Sequence, residues 1–318
     1  MLGAETIEFQ TTSPVTYREL LAGTSAPAER IVGYLFLPSD GVTKPPLVVI
    51  SIGSQGFKAG REDLYSRALT DIGIAAFVVD SFTPRGFAET TSSQGRLSMA
   101  GSTSDALHAI AHTRQDPRID GGKIGILGYS RGGHASVASH HCELQQAVLG
   151  ESDAIAAHVA LYPALNPRWR NPKPTKARML MLYGEADDLV PAWKPRTCAQ
   201  EIEAAGGSVE LVGYPDAHHG FDSITPAARV ASANFSKCNT LIEDDGGIVE
   251  ENTKIRAGAD WTEFLDRLQT VCGSAGATVG YGPGPREVAV PRVQNFFRET
   301  LMPGSEIRKP RSASSSIA

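Results

Sequence analysis

The sequence is short of most features that mark specialised classes of protein. It has four cysteines in 318 residues, Cys142, Cys198, Cys238 and Cys272, with no Cys-x-x-Cys pair. That excludes a disulfide-framework fold and a zinc site of that spacing, while leaving room for one or two disulfides. Basic excess is missing too: the formal net charge is −5 and charged residues make up 20%. The chain therefore has no electrostatic footprint for nucleic acid and no polybasic segment for an anionic membrane. No apolar run approaches the roughly eighteen residues that span a bilayer, and Met1–Glu5 lacks the basic start and apolar core of a leader peptide. There is no internal repeat. Low complexity is confined to residues 312–316, so 305–318 is expected to be a disordered tail. What remains is an ordinary globular composition, for which a small molecule is the expected partner.

What is present is a rhythm of short apolar runs and helical stretches. Arg30 to Pro38 reads as an early strand. Leu47 to Ile52 is a continuous β-branched run, the pattern of a strand covered on both faces. Arg61 to Ile72 has helical character, and Ile74 to Val79 is a second buried strand ending at Asp80. Leu97 to Arg114 carries Ala106, Leu107, Ile110 and Ala111 at helical spacing. Further strands are expected at 123–128, 155–162, 177–183 and 208–214, with a helix from Trp193 to Ala205 and a closing helix from about Val290 to Leu301. This alternation implies an α/β fold with a mostly parallel sheet and helices on both faces, whose chemistry gathers beyond the carboxyl ends of the strands.

The strand at 123–128 leads through Gly128-Tyr129-Ser130-Arg131-Gly132 into a helical segment. Gly-x-Ser-x-Gly at a strand-to-helix turn exposes the serine hydroxyl and needs small residues on either side. A serine hydroxyl is a weak nucleophile and needs a base. His219, followed by Gly220 directly after the last strand, is the candidate, with His218 as the fallback; an imidazole can take the proton and return it to a leaving group. The base needs an acid to fix its tautomer. Glu185-Ala186-Asp187-Asp188 follows the preceding strand, and Asp187 is the first choice, Asp188 the second. The order Ser130, Asp187, His219 is that of an α/β-hydrolase. For an oxyanion, donors are expected from the backbone N–H of Arg131 and from the turn Gly53-Ser54-Gln55-Gly56, Ser54 ahead of Gln55. Arg85 could bind an acidic substrate or tie its own loop, and Trp169 or Trp193 could line an acyl pocket or pack in the core. The chemistry proposed for this set requires neither cofactor nor metal.

Residues 222–286 exceed what a sheet with one closing helix requires. They read as an ordered insertion in a single domain spanning 1–304, with a helix at about Asp260 to Val271 and no strand-rich pattern. A Cys238–Cys272 disulfide would hold such an excursion; two free buried thiols are the alternative.

From about Pro46 to Phe221 the chain resembles the dienelactone hydrolase family of α/β-hydrolases, on the strength of Gly128-Tyr129-Ser130-Arg131-Gly132-Gly133, Gly184-Glu185-Ala186-Asp187 with Val190-Pro191, and His219-Gly220-Phe221. Asp80 to Gly86 is similar to a stretch of its serine-bearing members. The resemblance implies a serine esterase acting on small esters or lactones through an acyl-enzyme. A peptidase or acyltransferase with the same triad, or a binding protein on a hydrolase fold, are the rival readings. Members that open dienelactones carry a cysteine nucleophile, where this chain has Ser130, and a glutamate after the oxyanion strand, where it has only Ser51 to Gly56, so dienelactone itself is not the expected substrate. The cysteine pair in the insertion is similar to exported relatives, implying a periplasmic or secreted protein, with a cytoplasmic one as the alternative.

Overall fold

A computed structural model describes residues 3–23, 28–39, 42–57, 60–282 and 284–304; the serine-rich tail lies outside the described residues. The chain runs β1 (Glu5–Thr12), α1 (Tyr17–Leu21), β2 (Ala28–Phe36), β3 (Leu47–Ser51), α2 (Glu62–Thr70), β4 (Ala75–Asp80), α3 (Met99–Thr113), β5 (Ile124–Tyr129), α4 (Arg131–Ala138), α5 (Cys142–Leu149), β6 (Ala157–Leu161), β7 (Arg168–Trp169), β8 (Arg178–Gly184), α6 (Trp193–Ala204), β9 (Ser208–Tyr214), β10 (Ala228–Asn234), β11 (Thr240–Ile242), β12 (Ile248–Glu250), α7 (Trp261–Val271), β13 (Ser274–Val279) and α8 (Pro285–Leu301).

The main sheet has eight strands in the order β1-β2-β4-β3-β5-β6-β8-β9. β1, β2 and β4 pair antiparallel, and every pairing from β4 to β9 is parallel. β3, β4, β5 and β6 are buried along their whole length, which is why their sequences are near-continuous apolar runs rather than alternating ones, with His158 of β6 the one interior polar residue. Alternate residues serve opposite faces. Leu47 and Val49 of β3 join the core under α3 and α5, while Val48 and Ile50 join the core under α2 and α8. Each such side chain contributes about 1.5–3 kcal/mol relative to exposure.

β3 is followed by β4 on one side and by β5 on the other. That reversal leaves a crevice outside the carboxyl ends of β3 and β5, where the turn 53–56 and Ser130 both lie.

Two stretches differ from the sequence expectation. The opening segment, where no element was expected before Arg30, holds β1, whose Phe9 and Thr11 turn inward. Residues 222–286, in which no strand-rich pattern was expected, contain four strands: β10 and β13 pair antiparallel, and β11 pairs with β12 and with β7. These strands are short, and β10 is mostly exposed with the sequence ARVASAN, so no apolar alternation announces it. The Cys238–Cys272 disulfide is present, with S–S 2.03 Å; Cys142 and Cys198 are free, so a second bridge is not formed.

Candidate active site

The elbow after β5 is shaped by close backbone packing. Ser130 has φ 55° and ψ −116°, an unfavourable conformation for a non-glycine residue that costs on the order of 1–3 kcal/mol. The surrounding bonds over-determine it: Ser130 N donates to Leu161 O at 3.0 Å, and its carbonyl accepts from Ala164 N and His134 N, each at 2.9 Å. A methyl group on Gly128 would lie 2.0 Å from Gly132 O, and one on Gly132 would lie 1.9 Å from Ser51 O. Neither position can carry a side chain.

Asp187 follows β8 and His219 follows β9, so the fold brings all three candidates to one edge. The Ser130 hydroxyl is 2.8 Å from His219 Nε2, and His219 Nδ1 is 2.8 Å from Asp187 Oδ2. Asp187 is oriented by its other oxygen, which accepts from Leu189 N at 2.9 Å and Val190 N at 2.8 Å. With the carboxylate as acceptor, Nδ1 carries the imidazole proton and Nε2 is left to accept from the serine. His219 and Asp187 are each 4% exposed, which keeps this chain of hydrogen bonds away from competing water. The Tyr162 ring stands edge-on to His219 at 4.8 Å, and its hydroxyl donates to the buried Asp222 at 2.5 Å. Burial, with Asp222 beside it, holds the Tyr162 pKa well above its ordinary value, so it remains a neutral donor.

The alternatives weighed from sequence are engaged elsewhere. Asp188 accepts from Thr278 N at 2.7 Å and pairs with Arg229 at 2.6 Å. His218 donates through Nδ1 to Ala186 O at 2.9 Å, and Glu185 pairs with Arg196 at 2.9 Å. Arg85 does not reach the site. Its guanidinium is clamped by Asp105 at 2.8 Å, Glu29 at 2.5 Å and Ser81 O at 2.6 Å, tying its loop to α3 and β2. Trp169 does not line the pocket either: it is 6% exposed, stacks on His141 at 3.9 Å and donates to Ala138 O. Trp193, 43% exposed, faces outward.

Beside Ser130 lies a cavity of about 160 Å³ whose lining includes Ser54, Gln55 and Arg131. Much of its apolar wall comes from residues 222–286, through Val230, Phe235, Trp261, Leu265 and Val279. Sequence reasoning missed these. The usable signal was Trp261 and Leu265 at a four-residue spacing on the amphipathic helix already expected there. No carboxylate lines the cavity among the described residues. The described residues also hold no group of three or more His, Cys, Asp or Glu arranged for a metal, and no helix long and apolar enough to cross a membrane.

A parallel sheet with a strained serine elbow at its switch point defines an α/β-hydrolase. More narrowly, the profile of the dienelactone hydrolase family matches residues 31–243, and the chain belongs to that family. An uncharacterised 31.7 kDa protein of Escherichia coli, from the traX-finO intergenic region, is 30% identical over 102 residues; the match covers 32% of this chain and only 35% of that relative's length. A Methylorubrum extorquens protein, whose name assigns it provisionally as a carboxymethylenebutenolidase, is 25% identical over 69% of this chain and 79% of its own. Among solved structures, Thermogutta terrifontis esterase 2 phosphorylated by paraoxon superposes with a TM-score of 0.51 at 21% identity, covering 70% of this chain and 85% of that one. At that identity the likeness speaks for the fold.

Proposed function

We propose that the protein is a serine hydrolase that cleaves carboxylic esters through an acyl-enzyme. The observation that carries this reading is the unbroken bonding path from Ser130 Oγ through His219 to Asp187, 2.8 Å at each step. Ser130 Oγ attacks the ester carbonyl as its proton passes to His219 Nε2, and Asp187 stabilises the imidazolium. The oxyanion is received by the N–H of Arg131, free of an intrahelical partner at the start of α4, and by that of Ser54. Collapse breaks the bond to the alkoxy group, which leaves as an alcohol with the proton from His219. A water, deprotonated by the same imidazole, then attacks the acyl-serine and releases the acid.

The cavity suits a small ester with one apolar portion, since its volume is modest and one wall, formed by Val230, Phe235, Trp261, Leu265 and Val279, is aliphatic and aromatic. The serine nucleophile favours ordinary esters or lactones over dienelactone. The disulfide supports residence in an oxidising compartment, periplasmic or secreted. The test is labelling with a fluorophosphonate followed by peptide mapping, alongside turnover of short p-nitrophenyl esters and of peptide substrates, with and without an acceptor alcohol. Adduct on Ser130 with ester turnover lost in Ser130→Ala supports the reading. Folded wild-type protein that takes no label leaves a non-catalytic binding protein instead.

A further inference from the structure

Among the described residues the buried arginines are Arg61, Arg131 and Arg168, and two of the three face a carboxylate. Arg61 pairs with Glu62 at 3.2 Å and Arg168 with Glu201 at 2.8 Å. Arg131 is only 2% exposed, yet the partners of its guanidinium are all neutral: Leu97 O at 2.7 Å, Ser98 O at 3.2 Å, Ser102 Oγ at 3.3 Å, Gln94 Oε1 at 2.5 Å and Ser54 Oγ at 3.1 Å. Burying a cation without a counter-charge is expensive even when its donors are satisfied. Burial lowers its pKa to about 10, which still leaves it charged at neutral pH. The residue carrying this charge follows the nucleophile and lines the cavity.

Ser54 is held from three directions. Its hydroxyl accepts from Arg131 Nε and donates to Gln94 Oε1 at 3.1 Å, and its carbonyl accepts from Thr90 N at 2.7 Å. Gln94 Oε1 also accepts from Arg131, so the three side chains close a ring. Ser54 and Arg131 are the two residues whose peptide N–H groups are assigned to the oxyanion.

We propose that the Arg131 side chain is a positioning residue for the oxyanion hole: its bond to Ser54 joins the two halves of the hole, and its uncompensated charge favours the tetrahedral intermediate over the bound ester. The inference rests on the serine-hydrolase reading. Preorganised donors and charges aimed at a developing oxyanion act on the transition state alone, so their loss falls on kcat rather than on KM.

The experiment compares Arg131→Met, Arg131→Lys, Ser54→Ala and Ser102→Ala on a short p-nitrophenyl ester. Wild type and Ser130→Ala serve as references that judge the parent reading separately: if wild type turns over and Ser130→Ala does not, the variants test positioning alone. Arg131→Met is expected to lower kcat by roughly a hundredfold with KM changed less than about threefold, the size of effect seen for a lost oxyanion donor. Arg131→Lys, which restores the charge, should recover about tenfold of that loss. Ser54→Ala should cost about tenfold in kcat, and Ser102→Ala, which removes a bond to Nη1 rather than Nε, less than about threefold. A loss carried by KM, equal losses in Met and Lys variants, or wild-type kcat in Ser54→Ala would overturn the proposal. Should Arg131→Met not fold, the contrast between Ser54→Ala and Ser102→Ala decides.

Discussion

Replacing Cys238 and Cys272 together by alanine opens a loop closed over a sequence separation of 34 residues. Loop-closure entropy for that length is about 12–13 cal/mol/K, or roughly 4 kcal/mol at 25 °C. Native contacts should survive the change, because the bridged segment and the residues flanking it have other anchors. Cys238 O accepts from Lys194 Nζ at 2.7 Å, Phe235 O accepts from Asn166 Nδ2 at 2.7 Å, and Asp188 accepts from Thr278 N at 2.7 Å. The loss should therefore come mainly from the unfolded chain, which becomes free to expand. Cys238 is fully buried, so deleting its sulfur adds a packing cost of about 1 kcal/mol. Urea unfolding followed by tryptophan fluorescence reports on the bridged segment, since Trp261 lies within it, while far-UV circular dichroism reports on the whole. The expected outcome is a stability lower by about 3–5 kcal/mol, with similar native spectra. Wild type unfolded in the presence of a reductant should show the same deficit. A folded double variant that loses less than about 1 kcal/mol would refute the claim that this bridge restrains the unfolded ensemble.

Asp187→Asn should lower kcat by about four powers of ten, because an amide no longer selects the Nδ1-protonated imidazole. Asp188→Asn, whose parent contacts Thr278 and Arg229 rather than His219, should keep kcat within tenfold. Gly132→Ala places a methyl group 1.9 Å from Ser51 O; soluble expression and fluorophosphonate labelling should both fall, and normal labelling would show that the elbow relaxes. Lys194, 1% exposed and bonded to Asn166 Oδ1 and Cys238 O, has its pKa lowered by burial, with Arg168 adding, from 10.5 to about 7. The unfolded chain then binds the extra proton between those values, so the Lys194 contribution to stability rises with pH from about 7 to 10.5. Denaturant midpoints across this range should climb in wild type relative to Lys194→Met, and parallel pH profiles would contradict the burial argument.

The elements, and the meeting of Ser130, His219 and Asp187 at one sheet edge, were legible where the sequence encodes a local necessity. Buried parallel strands must be continuous apolar runs, so β3 to β6 stood out; an elbow serine must sit between small residues, so Gly128 and Gly132 pointed to Ser130. His219 and Asp187 could be chosen because chain order places each at the end of a successive strand. Legibility failed where a residue's role depends on what the tertiary fold sets against it. Arg85 and Trp169 had suitable chemistry for a pocket, but Asp105 and His141, distant in sequence, claim them. β10 and β13 carry little apolar alternation because β10 is exposed along most of its length and β13 is built almost wholly of small residues, and the cavity wall they form was invisible for the same reason.

The segment that walls the cavity is also bonded to the turns that carry Asp187 and His219. Val279 of β13 lines the pocket, while the N–H of the next residue, Gly280, donates to His219 O at 2.8 Å. Thr278, one residue earlier, holds Asp188, the neighbour of Asp187. Three consecutive residues at one strand end thus touch the Asp187 turn, the cavity and His219. A substrate that presses this wall outward pulls on the backbone that sets the distance from His219 Nε2 to Ser130 Oγ, and a hydrogen bond of 2.8 Å has little slack before proton transfer suffers. On the proposed mechanism, discrimination by size should in consequence fall on turnover as much as on affinity, because the same strand end that lines the cavity also holds His219.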